Sequence, residues 1–99
     1  MKTVIVRYKV KPEKVEENQR LVESVFAELH GKCPAGLEYL VLRLEDGSFL
    51  HLASTADGAP QLSSFSAFQD FRRDAEQRRL TAPELQGATI IGNYRTGDC

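Results

Sequence analysis

The first residues of the chain alternate between two sets of side chains. One set contains mostly apolar residues, namely Val4, Val6, Tyr8 and Val10, and the other contains Thr3, Ile5, Arg7 and Lys9. Period-two alternation predicts a β-strand with one apolar and one mixed face. Apolar side chains then recur every three or four residues, and this predicts a helix over 13–30. Pro12 suits its first turn and Gly31 its C-terminal cap.

Two apolar runs, 37–44 and 48–55, flank the dipeptide Asp46-Gly47. Such a pair between apolar runs is a strong hairpin signal, because a type I′ turn needs positive φ at both central positions. A two-residue turn would pair Leu44 with Phe49, Leu42 with His51 and Leu40 with Ala53. A different turn type would change this register.

A second helical region begins near Pro60, where Leu62, Phe65, Phe68 and Phe71 recur at helical spacing. Ser66 followed by Gln69 resembles a capping box, so the main helix is expected to begin at Ser66 after a short turn over 60–65. Four arginines in its C-terminal half suit the helix dipole: Arg72, Arg73, Arg78 and Arg79. The last element, 88–95, is predicted to be a strand with a bulge at Gly92.

The resulting order is β-α-β-β-α-β, which predicts an α+β fold of the ferredoxin-like type. We expect a four-stranded antiparallel sheet with two helices on one face, formed by a single domain over residues 1–96, with 97–99 as a C-terminal tail. Both faces of the central hairpin are apolar, and a sheet with two apolar faces is buried on both. The helices cover one face only. The sequence therefore predicts an isologous homodimer that packs sheet against sheet.

Composition excludes several classes of function. The net charge is −1, whereas a general nucleic-acid binder needs a basic excess. RNA-recognition motifs share this order of elements, but the third strand here has only Phe49 as an aromatic residue, with Asp46 before the glycine. No apolar run approaches the ~18 residues of a membrane span, and no export signal opens the chain. We therefore expect a cytoplasmic protein with Cys33 and Cys99 as free thiols.

His51 is the candidate catalytic residue. It lies within an apolar strand, where a neutral imidazole could act as a general base toward a phenol or an enol. The alternatives are a half-buried structural histidine or one at the dimer interface. The candidate ligand-binding residues are Arg7, Phe49, Phe68 and Tyr94, although Arg7 could instead face the partner sheet and Phe68 could simply be core. His30 is expected to complement the end of the first helix, and neither metal-ligand spacing nor a phosphate-binding loop is present.

Several segments within residues 3–95 resemble the dimeric α/β-barrel superfamily, which includes the antibiotic-biosynthesis-monooxygenase-like domains. They are the opening VIVRYKVKPEK, the hairpin GLEYLVLRLEDGSFLH, the helix FSAFQDFR and the closing IIGNYR. The resemblance implies two ferredoxin-like subunits that join their sheets into a barrel, often with a small molecule between each sheet and its helices. It implies as one activity the cofactor-free oxygenation of an aromatic or enolic substrate. The alternative is a ligand-binding or stress-associated barrel without catalysis.

Overall fold

A computed structural model describes residues 2–94. Its strands are β1 (Lys2–Lys9), β2 (Leu37–Arg43), β3 (Ser48–Thr55) and β4 (Glu84–Ala88), and its helices are α1 (Val15–Lys32), α2 (Ser66–Arg72) and the single turn α3 (Ala75–Arg78). The sheet has the order β2-β3-β1-β4, and every neighbouring pair is antiparallel. The predicted ferredoxin-like fold is confirmed. Cys99 and the predicted tail over 97–99 lie outside the described residues.

The register of the sheet divides its side chains into a helix face and an open face. Val6, His51 and Val41 are cross-strand partners on the helix face. They lie there with Tyr8 and Phe49, which belong to the buried core that α1 and α2 complete. The open face carries an apolar patch of five side chains: Ile5, Leu40, Leu42, Leu50 and Leu52. Within residues 2–94, no helix is long and apolar enough to cross a membrane.

The hairpin turn differs from the predicted one by a single residue. Leu44 and Ser48 close the loop, with the Leu44 N–H donating to the Ser48 carbonyl at 2.8 Å, so three residues form the turn instead of two. Gly47 has φ +85°, and the Asp46 carboxylate accepts the Ser48 N–H at 2.9 Å. A three-residue loop with glycine in the left-handed region is the next most common hairpin connection.

This turn changes the register of β2 against β3. Val41, instead of Leu42, lies opposite His51, and Leu40 lies opposite Leu52. The predicted pairs of Leu44 with Phe49, Leu42 with His51 and Leu40 with Ala53 were therefore wrong. Because a one-residue slip exchanges the faces, Tyr39 and Val41 lie on the helix face, whereas Leu40 and Leu42 lie on the open face.

The first helix runs two residues beyond its predicted end. Gly31 lies within α1, and Cys33 supplies the left-handed cap at φ 46°, with its N–H donating to the Leu29 carbonyl at 2.7 Å. The predicted cap at Gly31 was therefore wrong. Pro34 follows directly and cannot continue the helix. Cys33 is a free cysteine on the surface.

The second helical region begins at Ser66 as predicted, but its cap comes from α1 and not from a capping box. The Glu28 carboxylate accepts the Ala67 N–H at 2.8 Å and the Ser66 hydroxyl at 3.2 Å. This carboxylate satisfies a donor at the positive end of α2. The region is also shorter than predicted, because the chain turns at Asp74, which has φ 59°, before α3 begins.

The last strand was predicted too late in the sequence. Residues 84–88 pair with β1, from Arg7 opposite Glu84 to Thr3 opposite Ala88, whereas residues 89–94 form no strand. The segment Glu-Leu-Gln-Gly-Ala has low strand propensity, so pairing with β1 overrides its local preference. Gly92 consequently lies outside any strand, and the predicted bulge there was wrong.

Candidate functional site

A cavity of about 660 Å³ lies between the helix face of the sheet and the helices. Small-molecule sites usually occupy ~300–1,000 Å³. β1, β2 and β3 contribute its floor, including Tyr8, Tyr39 and His51, and the second helical region contributes Phe68 and Phe71. Charged side chains of both signs lie on the side of the cavity formed by residues 72–79, namely Arg72, Asp74, Glu76 and Arg79.

His51 lies between two tyrosine hydroxyls on the floor of the cavity. Its Nε2 is 2.8 Å from the Tyr8 hydroxyl, and its Nδ1 is 2.6 Å from the Tyr39 hydroxyl. The observed register produces this arrangement, because Tyr8 and Tyr39 each lie two residues from a cross-strand partner of His51 on the same face. Both ring nitrogens therefore have hydrogen-bond partners before any ligand enters.

A second polar layer lies behind Tyr8. Asn18, which is 1% exposed on α1, donates from Nδ2 to the Tyr8 hydroxyl at 3.1 Å. The Asn18 Oδ1 accepts a hydrogen bond from Arg78 Nε at 3.1 Å. Arg78 is 3% exposed, and its other nitrogens donate to the backbone carbonyls of Phe71 and Arg73. A polar chain therefore runs from a buried guanidinium to the floor of the cavity.

Aromatic rings hold this polar chain in place. The Phe71 ring lies 5.4 Å from both the His51 ring centre and the Arg78 guanidinium carbon. Tyr39 stacks on Phe26 at 5.0 Å and meets the edge of Phe68 at 6.4 Å. These separations are in the range that aromatic pairs prefer. An apolar ring entering the cavity would therefore meet aromatic walls and a polar floor.

Burial sets the protonation states of the floor. Desolvation lowers the pKa of His51 to about 4, so its imidazole is neutral at pH 7. Burial raises the pKa of Tyr8 to about 12, although the Asn18 hydrogen bond and the Arg78 charge act in the opposite direction. Burial also raises the pKa of Tyr39 above its ordinary value. At neutral pH the floor therefore presents two phenols and a neutral imidazole.

Comparison with known proteins identifies the fold. A conserved protein from Methanosarcina mazei is 21% identical, with a TM-score of 0.71, over 88% of this chain and 89% of that one. A provisionally assigned antibiotic biosynthesis monooxygenase from Caulobacter crescentus is 18% identical, with a TM-score of 0.71, over 92% of this chain and 90% of that one. One from Nitrosomonas europaea, also provisionally assigned, is 12% identical, with a TM-score of 0.74, over 93% of this chain and all of that one.

The chain has the fold of the antibiotic-biosynthesis-monooxygenase-like domains. No family model matches the sequence. No curated protein matches it significantly. At these identities the likeness establishes the monooxygenase-like fold alone, so any activity has to be argued from the cavity.

Two of the five predicted site residues line this cavity in the monooxygenase-like fold, namely His51 and Phe68. Phe49 is 1% exposed and stacks beneath Tyr8 at 5.9 Å, outside the lining. Arg7 lies on the open face opposite Leu50. Tyr94 is 74% exposed and does not line the cavity. The structure therefore does not bring Phe49, Arg7 and Tyr94 to the cavity.

Most of the polar chain was not predicted from the sequence. Tyr39 was assigned to the other face by the incorrect register, and Arg78 was interpreted only as a positive charge that suits the dipole of the second helix. Asn18 did carry a signal, because it occupies a position of the apolar stripe formed by Val15, Val22 and Val25. A polar residue in such a stripe is buried and needs a partner. Across residues 2–94 there is no cluster of three His, Cys, Asp or Glu side chains that could hold a metal ion.

Proposed function

We propose that this protein binds an aromatic or enolic small molecule in the cavity and that His51 accepts a proton from it. The observation that carries the proposal is the position of His51, whose hydrogen-bonded ring lies on the floor of a cavity large enough for such a molecule. The aromatic rings of Phe68 and Phe71 provide the apolar walls. No organic cofactor or metal is required by this proposal.

The proton reaches His51 through a tyrosine. Both ring nitrogens face tyrosine hydroxyls, so a ligand proton passes to a tyrosine oxygen while that hydroxyl's own proton passes to the imidazole. Burial disfavours the imidazolium. A deprotonated ligand beside it supplies an opposite charge at short range and raises the pKa of His51 again.

Dioxygen from solution is the proposed co-substrate of the deprotonated ligand. A ring CH₂ that loses a proton becomes a carbanion, which reduces dioxygen. One oxygen atom becomes the product's carbonyl oxygen, and the other leaves in water with the two hydrogens of the CH₂. The protein's contribution is the deprotonation and the aromatic enclosure of the ligand.

The same geometry favours a second candidate, namely ligand binding without catalysis. The two ring nitrogens are already bonded and the pKa of His51 is about 4, which makes it a weak base in the unliganded state. In this candidate the histidine orders the two tyrosines, and the hydroxyls recognise the ligand. The stress-associated barrel expected as the alternative belongs to this class.

The proposed assembly is a homodimer through the open face of the sheet. Leu40 and Leu42 are 51% and 45% exposed there, next to Ile5, Leu50 and Leu52. A second copy would cover these side chains and leave the cavity, on the other face, accessible. The superfamily that the sequence resembles joins its subunits in this way. A cytoplasmic location, where Cys33 would stay a thiol, is part of the same proposal.

Oxygen uptake with a panel of phenols, naphthols and cyclic 1,3-diketones tests the catalytic role. His51→Gln keeps a side chain able to hydrogen-bond both tyrosines but unable to accept a proton at neutral pH. We expect it to lower the rate by about 100-fold or more, in the range of general acid–base catalysis. The matched control is His30→Gln, which removes the other histidine, an exposed residue of α1, and should leave the rate unchanged.

The outcomes separate the two candidates. A rate in His51→Gln equal to that of the unmodified protein would rule out His51 as the proton acceptor. Binding of panel members without oxygen uptake would replace the catalytic proposal by the non-catalytic one.

A further inference from the structure

The polar chain behind the cavity begins at Arg78, which can only donate hydrogen bonds. Arg78 is a donor at every nitrogen, because a guanidinium has no acceptor. The atom of Asn18 that faces it must therefore be the amide oxygen, and the amide nitrogen must face Tyr8. The backbone carbonyls of Phe71 and Arg73 hold the guanidinium in this position. The orientation of the Asn18 amide is thus determined by a residue that does not line the cavity.

This orientation sets the direction of the next two hydrogen bonds. The Tyr8 oxygen accepts the Asn18 N–H at 3.1 Å, so the Tyr8 hydroxyl donates its own hydrogen to His51 Nε2 at 2.8 Å. A neutral imidazole carries one N–H, which must then be at Nδ1. That N–H donates to the Tyr39 oxygen at 2.6 Å.

One hydroxyl hydrogen has no acceptor within the polar chain. Tyr8, His51 and Tyr39 carry three hydrogens between them, and the two bonds that join them use only two. The reverse direction would leave the hydrogen on Tyr8, whose oxygen would then have to accept from both Asn18 and His51. The described residues give the Tyr39 hydroxyl no second partner, and Tyr39 lines the cavity.

We infer that Arg78 and Asn18 make Tyr39 the terminal hydrogen-bond donor of the cavity, so that the site selects ligands with a carbonyl or anionic oxygen. This inference rests on the proposed binding function and adds to it the ligand's chemical class. Arg78 and Asn18 act as positioning residues, because they set the tautomer of His51 through Tyr8. Aligned donors strengthen one another in a low-dielectric interior.

The charge of Arg78 supports the same ligand class. The guanidinium is buried, and none of the ion pairs within residues 2–94 includes it. The carboxylates of Glu17 and Asp74 act on its charge without forming an ion pair with it. The guanidinium therefore still favours negative charge nearby, since the interior screens it weakly. This charge acts on the Tyr8 hydroxyl, where it opposes the rise in pKa caused by burial. An anionic oxygen on the cavity floor would benefit from it, whereas an ammonium group would not.

Nitrogen-15 NMR of the ligand-free protein tests the direction of the hydrogen bonds in the polar chain. Long-range proton–nitrogen spectra at pH 7 distinguish the two histidine tautomers, and we expect His51 to be protonated at Nδ1. In Asn18→Leu the orienting donor is lost, so the Nδ1-protonated fraction should fall. The control Gln19→Leu, whose side chain contacts Arg43 instead, should leave the tautomer unchanged. Protonation at Nε2 in the unmodified protein would overturn the inference even if Asn18→Leu does not fold.

A pair of probes tests the ligand class. We expect 4-nitrophenolate to bind about tenfold more tightly than nitrobenzene, and Tyr39→Phe to abolish the difference. Equal affinity of the two probes in the unmodified protein would contradict the inference. Neither measurement requires turnover, so a failure of the catalytic proposal with the tautomer as expected remains distinguishable from a failure of this inference.

Discussion

Leu40→Glu is expected to convert the proposed dimer, of twice 11.1 kDa, into a monomer. Leu40 is 51% exposed on the open face of the sheet, opposite Leu52. In a monomer the new carboxylate would stay in water and cost little. In a sheet-to-sheet dimer it would be buried against the partner's leucines, and an unpaired buried charge costs several kcal/mol.

Analytical ultracentrifugation at micromolar concentration measures the effect. Leu80→Glu is the matched control, because Leu80 is similarly exposed, at 54%, but lies outside the sheet. It should leave the dimer intact. A monomeric unmodified protein, or a Leu40→Glu variant that still sediments as a dimer, would refute the open face as the interface.

The free energy of unfolding is expected to fall by about 3 kcal/mol more in the unmodified protein than in His51→Gln when the pH is lowered from 7 to 4. The pKa of His51 is about 4 in the folded protein, against an ordinary value of 6.5. Between these values the unfolded chain binds the proton and the folded protein does not. The contribution of His51 to the free energy of unfolding is therefore complete above about pH 6.5. It declines as the pH falls toward 4 and changes no further below that.

Urea denaturation at a series of pH values measures this difference. Subtracting the His51→Gln curve is necessary because carboxylates also titrate on acidification. The pKa values of Glu28 and Asp46 are lowered by their hydrogen bonds, so these residues also destabilise the fold as the pH falls through their pKa values. Parallel curves for the two proteins would show that His51 titrates normally and is open to water.

The fold was predictable because its main signals are periodic. The alternation of β1 and the stripe of α1 gave two elements of the correct type, and the two-faced hairpin indicated an uncovered sheet face. The turn was not determined to the residue, since Asp46-Gly47 fits both a two-residue and a three-residue loop. Because of this one-residue difference in the turn, Tyr39 and Leu40 were predicted on the wrong faces of the sheet. The position of β4 was not predicted correctly because its pairing with β1, and not its own sequence pattern, defines it.

The candidate site was less predictable because it depends on that register and on tertiary contacts. His51 was found from its position within an apolar strand. Tyr39 needed the correct turn, and Arg78 needed the break at Asp74, where a left-handed residue separates α2 from α3. Phe49, Arg7 and Tyr94 were chosen by residue type. Arg7 lies on the open face, Phe49 packs against Tyr8 outside the cavity lining, and Tyr94 is exposed.

Mapping of a bound ligand by NMR tests the central claim, that the cavity above His51 is the functional site. The ligand would be the compound from the oxygen-uptake and nitrophenolate experiments that binds most tightly. We predict that its addition shifts the ring resonances of His51, Tyr39 and Phe68. The methyl resonances of Leu40 and Leu42 should stay in place. Shifts confined to the open face, with the His51 ring unmoved at saturation, would contradict the claim.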